Sequence, residues 1–509
     1  MKKAIEEIVK EFLKNPEKDI ELIKREICKK YSLKTFIRNS DIIKELKQEK
    51  KLDKNLLLIL KKSPSRTMSG VTPVAVMSFS GCPHSGCIYC PRGKEAAQSY
   101  TGEEPAALRA RQNNFDAYKQ VKARLKQYKE MGHSMDKCEL IIMGGTFLSN
   151  KEKYKKSFIK DCFDAFNNKK SKTLKEAQKL NEKAEHRIVG LTIETRPDYV
   201  FIDEMLSYGC TRVELGVQVL SDKIYKKVNR GHSLKDVIDA TKKCKEAGLK
   251  ITYHIMPGLF QTPKQDIQMF KKLFSDSDFK PDMLKIYPTM VMENTKLYDI
   301  WKKGKFKPYS AEQAAEVISE CYKYIPEYVR VMRVQRDIPT PLITAGVEKS
   351  NLRQLVEEKC KKKKIKIKEI RYREAGLQKY KFGKDIQEKN IKLKIKKYTA
   401  SEGTEYFISF EDTKNNILIG FVRLRICADK KAIVRELHVY GSEINIGLDS
   451  NESVQHKGYG KRLLKKAEEI TKKNKINKLY IISGIGVREY YYKLGYSLDG
   501  FYVSKIINK

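Results

Sequence analysis

The chain has 509 residues, 104 of them Lys or Arg and 64 Asp or Glu, for a net charge of +40 and a pI near 9.6. Its 40% apolar share supports packed cores, about three domains by length, and excludes a wholly disordered chain. No window reaches the ~20 apolar residues of a membrane span, and the start MKKAIEEIVKEFLK lacks the apolar block of a secretory signal. The chain therefore reads as soluble, non-membrane and cytoplasmic. Bases exceed acids rather than rising with them, which points to a polyanion such as RNA more than to a heat-adapted ion-pair surface.

Residues 1–69 read as a basic helical region. Ile5, Ile8, Val9, Phe12 and Leu13 recur at helical spacing, and residues 1–62 carry 18 basic against 11 acidic groups. Such a segment suits an RNA-binding arm, a solvated face being the plainer reading. From 70 to 300 short apolar runs alternate with helical stretches. Strands are predicted at 74–80, 139–143, 188–194, 213–217, 251–255 and 283–287, with helices such as 106–131 and 234–247 between them. This alternation implies parallel β/α units, six of which close partly into a barrel with functional residues at the C-terminal strand ends. Residues 301–395 are less regular and read as a linker, with the run KKKKIKIK (361–368) as a linker or nucleic-acid-facing ribbon. Strands at 407–410, 417–425, 433–440 and 479–483, with a helix at 461–473, make 396–509 a compact α/β domain. The fold class is thus α/β throughout, after the helical N-terminal region.

Three of the eleven cysteines cluster as Cys82, Cys87 and Cys90, while Cys321, Cys360 and the others are scattered. The spacing C-x4-C-x2-C, just after the first predicted strand, lets three thiolates hold three irons of a 4Fe-4S cluster and leave the fourth open. A zinc site with His84 as fourth ligand is the alternative. The string GCPHSGCIYCPRG, with Gly144 and Gly145 ending the second strand, resembles the radical S-adenosylmethionine (SAM) superfamily. There the open iron chelates SAM and the glycine-rich segment binds its amino end; the superfamily's usual first spacer is three residues. Near the C-terminus, Gln455-His456-Lys457-Gly458-Tyr459-Gly460 opens a helix and resembles the pyrophosphate signature of GNAT-type acetyltransferases, where glycines expose N–H groups at a helix N-terminus. Leu463, Leu464, Ala467 and Ile470 share one face of that helix. The tyrosines of VREYYYKLGY (487–496) lie where GNAT enzymes often carry a general acid for the leaving thiolate. Tyr490 and Tyr491 are the expected catalytic pair, with Tyr496 in the core.

Polar residues at the predicted strand ends are candidates for SAM or substrate contacts: Glu194, Arg196, Gln218, His254 and Lys285. The plain alternatives are that Arg196 only pairs with Glu194 and that His254 is a satisfied core residue. Lys285, inside an apolar strand, demands an anionic partner and is carried as a catalytic candidate.

Taken in order, SYTGEEP (99–105), MGGTF (143–147), LTIETRPDY (191–199), YGCTRVELGVQ (208–218), NRGH (229–232), LKIYPT (284–289), RVQRDIP (333–339) and IVRELHVYG (433–441) resemble the catalytic subunits of the Elongator complex, in a single-chain archaeal or bacterial form. The resemblance covers nearly the whole chain. It implies Cys82, Cys87 and Cys90 as cluster ligands. It implies acetyl-CoA contacts from Lys137, Glu436, Leu437, His438, Val439, Gly458, Tyr459, Gly460 and Tyr491. Some relatives bind zinc between the domains; with Cys321 and Cys360 far apart, none is expected here. The implied activity is formation of 5-carboxymethyluridine at the tRNA wobble uridine from SAM and acetyl-CoA. The chemistry is coherent: uracil C5 is a poor nucleophile and an acetyl methyl a poor electrophile. A SAM-derived radical can take hydrogen from that methyl, the carbon can add to C5, and thioester hydrolysis then frees CoA. Arg333, Arg336 and Lys361 to Lys364 are candidate tRNA contacts beside the N-terminal bases. A homodimer is compatible with the sequence, and accessory Elongator subunits are not implied. The alternative reading is a protein lysine acetyltransferase with a structural iron–sulfur cluster.

Overall fold

A computed structural model describes residues 1–61, 67–440 and 458–507, the side chains of Lys54 and Leu58 excepted. The N-terminal region is helical as expected, with helices Lys2–Lys14, Ile20–Lys30, Asn39–Gln48 and Lys54–Leu60. They close over a small core of their own built on Ile8, Phe12, Ile23, Ile42 and Leu46. Asp19 and Asp53 cap the second and fourth helices by accepting from the backbone N–H groups of Glu21 and Leu56.

Seven parallel strands follow: β1 (Thr72–Met77), β2 (Lys137–Met143), β3 (Arg187–Thr195), β4 (Arg212–Gln218), β5 (Lys250–Ile255), β6 (Met283–Ile286) and β7 (Arg330–Val334). They pair in chain order as an open half-barrel, with helices such as Glu152–Asn167 and Leu234–Glu246 packed outside. The six predicted strands are all present, and a seventh comes from the stretch read as irregular. That strand, RVMRV, lacks an apolar run because Arg330 and Arg333 are paired to Glu374 and Asp337. The predicted helix 106–131 is two helices, Pro105–Gln112 and Ala117–Glu130, separated where Asn114 and Phe115 take positive φ. The first lysines of the run 361–368 end the helix Leu352–Lys362, and Lys363 is bound to Glu320 at 2.7 Å. The rest of the run, from Lys363 to Lys368, is a turn and irregular chain with Lys364, Lys366 and Lys368 exposed.

The second sheet contains β8 (Ile391–Ala400), β9 (Gly403–Asp412), β10 (Ile417–Ile426), β11 (Ala432–Val439), β12 (Lys478–Ile481), β13 (Ser497–Asp499) and β14 (Tyr502–Ile506), in the order β13-β14-β12-β11-β10-β9-β8. The helix Tyr459–Lys473 packs on it through Leu463, Leu464 and Ala467. β11 and β12 are parallel and pair only from Ala432 to Val434 with Leu479 to Ile481. Beyond Val434 that edge of β11 separates from β12. On its other edge the register against β10 shifts, so that Arg435 is an extra, bulged residue between Val434 and Glu436.

The bulge aims Arg435 into the junction between the two sheets. Its guanidinium meets Asp282 at 2.5 and 2.9 Å, Glu405 at 3.1 Å and the Leu249 carbonyl at 2.9 Å. Arg423, Arg425 and Lys245 complete a fully buried ionic cluster. Among the described residues no helix is long and apolar enough to cross a membrane.

Candidate active site

A single cavity of about 1850 Å³ is lined from both sheets. Cys82, Cys87 and Cys90 border it on the half-barrel side; Glu436 to Val439, Gly458, Gly460, Tyr490 and Tyr491 border it on the other. All eleven cysteines are free thiols, and these three are the partly exposed ones while the other eight are buried. Chemistry and position therefore coincide in this triplet.

The cysteine loop is held by its surroundings. Burial alone would push the Cys82 thiol up, but the backbone N–H of Ser85, the Thr146 hydroxyl, the backbone at His84 and the charge of Arg196 hold it below its ordinary value. Gln98 Nε2 donates to Cys90 Sγ at 3.1 Å, and Arg230 Nη1 donates to Cys87 Sγ at 3.5 Å. His84, the zinc alternative's fourth ligand, donates from Nε2 to the Asn229 carbonyl at 2.9 Å, which ties the ring to the turn 229–232. Three thiols on one loop, partly exposed and supplied with N–H donors, fit a 4Fe-4S cluster with an open iron.

Gly144 and Gly145 have φ of 107° and 53°. A Cβ on Gly144 would lie 2.3 Å from the Ser78 carbonyl, and one on Gly145 2.4 Å from the Gly81 carbonyl. The close approach that requires glycine is thus to the cysteine loop itself; Gly145 lines the cavity, and Gly144 supports it from behind.

The strand-end candidates converge. Lys285 Nζ lies 3.1 Å from Glu194 Oε1 and also contacts Glu214. His254 Nε2 is 2.9 Å from Glu214, and Tyr100 donates to Glu194 at 2.8 Å. Among the described residues, Glu194, Glu214 and His254 form the one trio close enough to share a metal ion, but the Lys285 ammonium already supplies a cation there. Burial alone would raise the Glu214 carboxyl; Lys285, His254 and Arg212 hold it well below the usual range. Gln218 reaches the same wall from a positive φ of 73°. The Arg196–Glu194 pair of the plain alternative is not formed: Arg196 binds Asp198 at 2.8 and 2.9 Å and donates to the Arg230 carbonyl at 2.9 Å.

On the second sheet, the unpaired edge of β11 presents the main chain of residues 436–439 to the cavity. The Glu436 side chain is taken by Arg423 at 2.8 Å, which leaves its main chain for a ligand. Gly458 caps the helix Tyr459–Lys473 at φ 73°, and a Cβ on Gly460 would sit 3.0 Å from the Tyr490 hydroxyl. Tyr490 is therefore beside the helix N-terminus, with Tyr491 edge-on at 5.2 Å. Burial pushes both phenols up, so both hold their protons at neutral pH. The Tyr459 ring packs on Phe410 in the core rather than lining the cavity. Tyr496 is core, as expected, donating to Glu468 at 2.8 Å. Lys137 lines the cavity with burial holding its ammonium below the ordinary value. Gln455, His456 and Lys457 lie outside the described residues. Sequence reasoning passed over Tyr100, Glu214 and Arg230; the string NRGH was the available signal for the last.

Four family models match successive parts of the chain, and the boundary between the second and third falls within the seven-stranded sheet. Residues 1–68 match the ELP3 N-terminal domain, 76–274 the radical SAM superfamily, 281–362 the radical SAM C-terminal domain and 372–496 the GNAT acetyltransferase family. The chain is 48% identical to a protein of Methanocaldococcus infernus named tRNA uridine(34) acetyltransferase, covering 99% of each. It is 41% identical to Elongator complex protein 3 of Schizosaccharomyces pombe, covering 99% of this chain and 98% of that one. The solved structure of Methanocaldococcus infernus Elp3 with an N-terminal deletion superposes with a TM-score of 0.78 at 47% identity, covering 86% of this chain and all of that one. The chain belongs to the Elongator complex protein 3 family.

Proposed function

We propose that the chain is a tRNA-modifying acyltransferase that builds 5-carboxymethyluridine at uridine 34 from acetyl-CoA and SAM. The observation that carries this reading is the shared cavity: the cysteine triplet and the Gly458–Tyr490 corner open onto one space. Cys82, Cys87 and Cys90 would hold a 4Fe-4S cluster, and Gly145, Glu194 and Gln218 would line the SAM site. A cluster with SAM supplies the one-electron chemistry that takes hydrogen from an acetyl methyl group. The main chain of residues 436–439 would orient the pantetheine arm, and the N-terminus of helix Tyr459–Lys473 the pyrophosphate. Lys137 adds a cation on the opposite wall. Tyr490, protonated and beside the helix N-terminus at Gly460, would give a proton to the departing CoA thiolate. Lys285 fixes the carboxylates of Glu194 and Glu214 at the barrel mouth. Residues 1–69 and the net charge of +40 would grip the RNA backbone.

The test is nucleoside analysis of tRNA incubated with reconstituted protein, SAM, reductant and acetyl-CoA. Carboxymethyluridine is expected, lost in Cys90→Ala and kept in Cys28→Ala. Acetyl-lysine formation that is indifferent to Cys90→Ala, with tRNA unmodified, would replace this reading by that of a protein acetyltransferase.

A further inference from the structure

Arg230 is 8% exposed, and among the described residues no carboxylate lies within ion-pair distance of it. Its Nη2 donates to the Gly216 carbonyl at 2.5 Å, its Nη1 points at Cys87 Sγ at 3.5 Å, and its buried Nε has no hydrogen-bond partner. A buried cation without a counter-charge is expensive, so a partner of opposite sign is expected nearby. Arg196 differs, because Asp198 balances it.

The same turn carries the cysteine loop. Asn229 Nδ2 donates to the Gly86 carbonyl at 3.1 Å, His84 donates back to the Asn229 carbonyl, and the backbone N–H of Ile88 donates to Val228. A Cβ on Gly231 would strike the His84 ring at 2.4 Å. The segment 229–232 is therefore a latch on the four-residue spacer between Cys82 and Cys87, and Arg230 is the charge at its centre.

We infer that the counter-charge of Arg230 is the thiolate-ligated cluster itself, and that Arg230 is a positioning residue that makes this cluster easier to reduce. The inference rests on the reading of Cys82, Cys87 and Cys90 as cluster ligands. Reduction adds one electron from a low-potential one-electron donor, with no proton, so the reduced cluster carries one more negative charge than the oxidised one. A fixed guanidinium beside a ligating sulfur stabilises the more negative state and shifts the potential upward. The Asn229 and His84 contacts serve a separate purpose: they hold the loop's shape before iron arrives.

The experiment is an anaerobic redox titration with dithionite, followed by the electron paramagnetic resonance of the reduced cluster, on protein assayed for iron and sulfide. Arg230→Gln should load iron and shift the midpoint potential to more negative values, and Arg230→Lys should restore part of the shift. Asn229→Ala should load iron more slowly while keeping the native potential. If Arg230→Gln does not load, Gly216→Ala takes its place. A Cβ there would lie 2.6 Å from Arg230 Nη2, which displaces the guanidinium without removing it, and the potential should move from the native value. A loaded Arg230→Gln or Gly216→Ala protein with unchanged potential overturns the inference, as does an Asn229→Ala shift as large as that of Arg230→Gln. A native protein that takes up no iron overturns the ligand assignment and this inference with it.

Discussion

Lys285 shows how one side chain sets the charge state of its neighbours. Its demand for an anion was legible in the sequence, since an ammonium in an apolar strand needs one. Which anion was not, because Glu194 and Glu214 come from β3 and β4 and meet it only through parallel pairing. Lys285→Met removes one of the cations on the buried Glu214 carboxylate, leaving Arg212 and His254, and should cost about 1 to 3 kcal/mol in urea denaturation. The pH dependence follows. A carboxyl held below its unfolded pKa of about 4.3 adds stability that is full above that pH and is lost as pH falls toward the folded value. The melting temperature of the native chain should therefore drop as pH falls below about 4.3, and drop less in Lys285→Met. Equal slopes in the two proteins would contradict this account of Glu214. Arg196 carries the opposite lesson: Glu194 and Asp198 both lie two residues from it in the chain, its side chain binds Asp198, and sequence alone does not rank the two.

At the scale of elements, legibility tracked the apolar pattern. β1 to β6 read clearly because each puts Val, Ile, Leu or Met at buried positions between helical stretches, even where the other face lines the cavity. β7 and β8 did not, because RVMRV spends two of five positions on paired arginines and IKLKIKKYTA puts lysines on an exposed edge strand. The glycine pair after β2 was recognised; what the sequence did not show is that the backbone it closely approaches within the protein is that of the cysteine loop. Gly144→Ala should accordingly cost about 2 kcal/mol or more, since a side chain there is strained at φ 107° and meets a carbonyl. It should also slow iron uptake by the apo protein, whereas Gly304→Ala, with open space around it, should leave uptake unchanged. The segment 436–439 was legible as a candidate, and it does line the cavity, but that the Glu436 side chain is taken up depends on Arg423 from β10.

For the molecule as a whole, the two sheets are joined by charge rather than by apolar packing alone. Burial alone would raise the Asp282 carboxyl; Arg435, Lys245 and Arg423 hold it far below the usual range. Lys245, the cation farthest from a hydrogen-bonding partner, is pushed down to about 8 by burial. Arg435→Met leaves Asp282 and Glu405 short of a cation and should cost about 3 to 5 kcal/mol. Because the contact crosses between sheets, calorimetry should resolve two transitions in the variant where the native chain shows one. The surface charge makes a separate prediction. If the chain covers six or more phosphates, tRNA affinity should fall on the order of a thousandfold between about 50 and 200 mM salt, read by fluorescence anisotropy. An affinity indifferent to salt would mean that the net charge of +40 is not what grips RNA.

The bulge in β11 has a consequence for how such a protein can change. Arg435 plugs the seam, while the very next residues form a wall of the cavity. Deleting one residue there would restore regular pairing with β10 and turn the plug away from Asp282 in the same stroke. A transferase module transplanted from elsewhere would arrive without its anchor unless Glu405, Arg423, Arg425 and the bulge travelled with it. Seam and cavity wall are, on this strand, a single inheritance.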